Sequence, residues 1–146
     1  MMRLPKSVRE RFRAHGRDGG LARAARMSPE ARRAVARMAA IQRWIWVRFG
    51  APGFEAIGLP GGEAIDAGLA ALADGEESIE SLLVSLAAPR LKREGVPLPH
   101  DLFPDADVRL YRLLEQTEGD LAHARYLAYL RQAASFANAC ANARLK

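Results

Sequence analysis

The sequence predicts an all-α protein: a basic, helix-turn-helix-like N-terminal region, then a small helical bundle closed by a C-terminal αα-hairpin. Three observations lead there. The aliphatic residues are mostly Ala and Leu, which lose little freedom in a helix and pack poorly on a pleated surface. Apolar residues recur three and four apart rather than alternately. Gly and Pro collect between those runs, where helices stop. The 146 residues suffice for one small core with an appended arm, and no repeat of fixed period is present.

Residues 5–15 read as a short amphipathic helix with Val8 and Phe12 on one side. Gly16, Gly19 and Gly20 should break it, because three glycines in five residues cost a helix too much backbone entropy. Leu21 to Met27 then makes two turns. Ser28-Pro29-Glu30 is the best helix start in the chain: an N-cap oxygen, a proline suited to the first helical position, and an acid at the positive end of the dipole. That helix should reach Phe49 and stop at Gly50. Its expected apolar face is Ala31, Val35, Met38, Ile45 and Phe49. Arg33, Arg37 and Arg48 lie opposite, Arg32 and Arg43 flank them, and Trp44 falls among the arginines while Trp46 sits near the apolar side.

Residues 54–62 read as a connection ending in a tight turn. A helix over 63–74 is closed by Gly75, and the next carries Ile79, Leu82, Leu83 and Leu86, with Glu76, Glu77 and Glu80 crowding its first turn. Pro89 should kink or end it. Residues 95–104 form an extended proline-rich joint. Helices over 107–117 and 120–143, turned at Thr117-Glu118-Gly119 and capped by Asp120, complete the hairpin. The working division is a basic region 1–50, an acidic helix pair 51–96, and a joint with hairpin 97–146, the last two forming one packed unit.

Charge is the most uneven property of the chain. Residues 1–50 hold 13 Lys+Arg against 3 Asp+Glu, a net of +10; residues 51–146 hold 9 against 14, a net of −5. Residues 51–88 contain seven acids and neither Lys nor Arg. Twelve of the thirteen N-terminal cations are Arg, the side chain suited to bidentate phosphate contacts. One reading puts the basic third on a nucleic-acid backbone, where cations release condensed counterions. The other lays it against the protein's own acidic middle. The nucleic-acid reading names Arg17, Arg23, Arg26, Arg32, Arg33, Arg37, Arg43, Trp44 and Arg48 as the contact set, with DNA preferred to RNA. Trp44 could stack on a base, or equally be covered by another helix.

Catalytic chemistry is not legible. The glycine clusters lack a G-K-[ST] sequence and no strand leads into them. His15, His100 and His123 share no metal-ligand spacing with one another or with Cys140, so neither metal nor cofactor is expected. Arg93 and His100 match by count the spacing of the HEPN ribonucleases, but Pro97 and Pro99 between them prevent a shared helix. A single cysteine, read as a buried and inert thiol, suits a reducing compartment. No signal-peptide pattern and no apolar run near the ~20 residues of a membrane span is visible, so a non-enzymatic cytoplasmic protein without a membrane partner is expected.

The stretch from Gly16 to Trp44, with its G-x-x-GG-x-A-R, SPE-x-R-R and A-x-x-A-x-x-R-W elements, resembles a basic module of small bacterial and plasmid proteins. Some of these look like the antitoxin or repressor half of toxin–antitoxin operons. The resemblance covers about 30 residues, rich in Arg, Ala and Gly. It implies a division of labour: the basic end on DNA, the other end on a partner protein such as a toxin. The last helix is apolar over a wide arc, which suits a partner or a second copy. Tyr111, Tyr126, Tyr129 and Phe136 are the residues expected at that interface. The rival expectation is an interaction module whose basic helix grips an acidic protein.

Overall fold

A computed structural model describes residues 5–144 and, among them, contains helices and no strand. The chain divides into two compact units, residues 1–33 and 34–146. The division falls inside a helix rather than at Gly50, because that helix begins to bury side chains only at Ala34.

The first unit holds α1, Lys6–Arg26, and the first turn of α2, Pro29–Phe49. α1 is one unbroken helix, which corrects the expected break at Gly16–Gly20. All three glycines take helical backbone, and a Cβ on any of them would meet nothing within 4 Å. The helix accordingly bears their entropic cost without gaining any packing there, and none of its residues is buried. Met27 ends it in extended conformation. α2 starts as its cap predicts: the Ser28 hydroxyl accepts from the Ala31 N–H at 3.1 Å.

The second unit is the bundle. After α2 come a single turn α3, Phe54–Ile57, then α4, Gly62–Asp74, and α5, Ile79–Arg93. α6, Ala106–Glu118, and α7, Ala122–Arg144, are joined by a 3₁₀ turn over Gly119–Leu121. Gly50, at φ +71°, receives the end of α2, and its N–H donates to the Trp46 carbonyl at 2.8 Å. Two packed clusters form the core. The first joins Ile41 and Ile45 of α2, Phe54, Ile65, Leu69 and Leu72 of α4, Val84 and Leu91 of α5, and Phe136 and Cys140 of α7. The second sets Leu82 against Ala106, Leu110 and Leu114 of α6 and Ala122 of α7.

Three local expectations change. Glu76 and Glu77 lie before α5; its cap is Ser78, which exchanges hydrogen bonds with Ser81 in a capping box. Pro89 does not end α5, which continues for another turn because Leu91 beyond it is buried in the first cluster. Asp120 lies within the 3₁₀ turn rather than capping a helix ahead of it.

At Gly68 of α4 a Cβ would collide with the Glu80 carbonyl and the Val84 side chain of α5. Gly19→Ala and Gly68→Ala should therefore act in opposite directions. The first should increase the helicity of α1, by up to about 1 kcal/mol. The second should destabilise the bundle by about 1–3 kcal/mol through overpacking. Circular dichroism with denaturant titration checks both.

Candidate nucleic-acid interface

On α1 the cations are Lys6, Arg9, Arg11, Arg13, Arg17, Arg23 and Arg26, against Glu10 and Asp18. All seven are exposed. At about 100° per residue, Lys6, Arg9, Arg13 and Arg17 fall on one face, spread over about 16 Å of helix axis. Lys6, Arg9, Arg11 and Arg13 were not in the contact set. An unbroken helix through Gly16 is what places them in series with Arg17, and the glycine content concealed it. Arg32 and Arg33, on the first turn of α2, are exposed as well.

The rest of α2 departs from expectation in one consistent way. Its buried residues are Ala34, Ile41 and Ile45, with Met38 and Phe49 partly buried beside them. Compared with the predicted apolar face, this stripe is rotated by about 50° around the axis, toward Arg37 and Trp44. Arg37 is drawn to half-burial and donates to Asp101 of the proline-rich joint at 3.0 Å. Trp44 lies against Phe49 and Phe54 in edge-on contacts, with centroids 5.9 and 6.4 Å away, and the Arg48 guanidinium stands 5.8 Å from its ring centre. Of the two readings of Trp44, its partial burial favours the covered one. Val35 and Trp46 rotate outward, to 57% and 59% exposure, and Val47 is 78% exposed. Arg43 is exposed and pairs with no carboxylate among the described residues.

Two of the seven acids of 51–88 are engaged within the bundle. Both carboxylate oxygens of Asp66 accept from α3, one from the Phe54 N–H and one from the Glu55 N–H, each at 3.0 Å. Glu77 pairs with Arg109 of α6. Neither meets Arg37, Arg43 or Arg48.

The four rings assigned to a partner interface separate. Phe136 is fully buried, 4.8 Å from Phe54 centroid to centroid, and so is corrected from interface to core. Tyr111 and Tyr126 are half-buried and meet edge-on at 5.5 Å, covering the hairpin from within the same chain. Tyr129, also half-buried, lines a cleft of about 480 Å³ with Glu63, Glu80, Arg125 and Gln132. Cys140 is buried in the first cluster.

No helix among the described residues is long and apolar enough to cross a membrane, and no group of three or more His, Cys, Asp or Glu is placed to hold a metal ion. Compared with family profiles, curated proteins and solved structures, the chain matches none.

These placements separate structural from surface side chains. Phe136→Ala should cost about 3–5 kcal/mol of stability, the loss of a fully buried ring. Arg43→Ala should stay within about 0.5 kcal/mol of the parent, as an exposed side chain off the core. Chemical denaturation of the two variants beside the parent distinguishes these outcomes.

Proposed function

We propose that the chain is a non-enzymatic nucleic-acid-binding protein that grips the phosphate backbone through α1 and the exposed arginines at the start of α2. One observation carries this reading: α1 has seven cations, two acids and no buried residue. A helix that contributes nothing to a core and concentrates like charges is unfavourable alone, by self-repulsion and by its glycine content. A polyanion reverses the first term, because each neutralised phosphate releases condensed counterions. DNA is preferred to RNA, since an α-helix fits the B-form major groove and not the deep, narrow one of A-form RNA. Contacts of this kind fix position and carry little sequence information.

The antitoxin- or repressor-like resemblance of residues 16–44 agrees with this proposal and adds a protein partner. With Phe136 in the core and Tyr111 packed on Tyr126, the C-terminal hairpin offers less to that partner than its sequence suggests. Exposed large apolar side chains remain on the hairpin at Val108, Leu121 and Leu127, and α2 adds Val35, Trp46 and Val47. The rival reading, a grip on an acidic protein, uses the same cations and is separated from the first by experiment.

If about five cations engage phosphates, log K for duplex DNA should fall against log salt with a slope of roughly −4 to −5. Changing Arg13 and Arg17 together to Ala should weaken binding to all sequences alike and flatten that slope by roughly 2. Arg37→Ala should leave the slope nearly unchanged, because its guanidinium is engaged by Asp101. Fluorescence anisotropy over a salt series measures all three, and a salt-independent or absent signal would leave the acidic-protein reading in front.

A further inference from the structure

We infer that Trp46 is a stacking platform for an unpaired base, so that the chain favours DNA carrying single-stranded nucleotides over fully paired duplex. The inference rests on the nucleic-acid reading and names the kind of nucleic acid. Side chains on a helix lean toward its N-terminus, so a residue is covered by those three and four positions further on. For Trp46 these are Phe49, which is partly buried against the core, and Gly50, which has no side chain. A Cβ at Gly50 would meet nothing within 4 Å. Trp46 is 59% exposed, while Trp44, two residues earlier, packs partly buried against the core.

The neighbours of Trp46 suit a nucleotide. One turn back, Arg43 and Gln42 are both exposed: a cation for the phosphate and an amide able to pair with a base edge. Every base has a π-face, so an exposed indole beside a cation binds single strands with little regard to sequence. Inside a duplex those faces are stacked on one another and the indole finds none. A docked partner helix fits less well. It requires apolar anchors at successive turns of one face, whereas Val35 and Trp46 stand about 16 Å apart along the axis with Ala39, Gln42 and Arg43 between them, and exposed Val47 lies about 100° round the helix from Trp46.

The test compares the full chain with Trp46→Ala and Trp46→Phe on two probes, oligo(dT) of about 20 nucleotides and a blunt duplex of the same length, at one low salt concentration. Circular dichroism confirms that each exposed-site variant retains the parent's helicity. Expected results are a roughly tenfold loss for Trp46→Ala on oligo(dT), a less than twofold loss on duplex, and near-parent affinity for Trp46→Phe. Trp fluorescence should be quenched by oligo(dT) in the parent and much less in Trp46→Phe. Equal losses on both probes, or none on either, would overturn the stacking role while leaving phosphate binding intact. No binding of the parent to either probe would overturn both readings. A parent that self-associates through Trp46, with oligo(dT) affinity unchanged in Trp46→Ala, would assign the residue to a protein contact and overturn the inference.

Discussion

The bundle depends on the burial of one ring. Phe54 occupies a single helical turn, yet it is fully buried and meets Trp44 and Phe49 at the end of α2 and Phe136 on α7. A turn this short cannot hold itself, since helix nucleation is unfavourable until several residues are fixed. Asp66 on α4 supplies the missing order by accepting the first two N–H groups of α3 with its two carboxylate oxygens. Gly62 lets α4 begin against the α3 backbone, where a Cβ would come to 2.7 Å of the Phe54 carbonyl. A cap, a glycine and a ring thus join α2, α3, α4 and α7.

From that constraint follows the orientation of α2. Once Trp44 and Phe49 are drawn onto Phe54, Ile41 and Ile45 must face the core, and Arg37 comes within reach of Asp101. The same rotation turns Val35, Arg43 and Trp46 to solvent. The chemistry available on the outer face of α2 is decided by packing on the inner one. A change at Phe54 or Asp66, neither of which presents a charge to a ligand, would reach the surface through the axis of α2.

Features governed by local chemistry were legible in the sequence. Ser28, Pro29 and Gly50 bound α2 as their capping preferences require, and Gly75 closes α4 at φ +74°. The all-α class follows from residue propensity and apolar spacing alone. What was not legible depended on distant partners. Pro89 continues a helix because Leu91 is anchored beyond it, and a propensity argument contains no term for that anchor. The apolar face of α2 was misplaced by about half a residue's rotation, because Val35 was counted inward and Ile41 was not. Periodicity in a helix rich in Ala leaves its phase loosely determined. That error exchanged the expected exposure of Trp44 and Trp46. The charge density of α1 survives any rotation of the helix, but Lys6, Arg9, Arg11 and Arg13 stayed outside the contact set because Gly16, Gly19 and Gly20 read as a break.

A helix with seven peptide bonds following Lys or Arg and no buried side chain is also an open substrate for proteases that cleave after basic residues. Cutting it requires only a brief local unwinding, with no core contact to break. The arginines of α5, α6 and α7 sit on helices anchored by Leu91, Leu110 and Phe136, where unwinding disrupts the clusters themselves. The helix that carries the most cations is therefore also the one most open to such cleavage. A polyanion lying along it would act as a shield, coupling the lifetime of the chain to its occupancy.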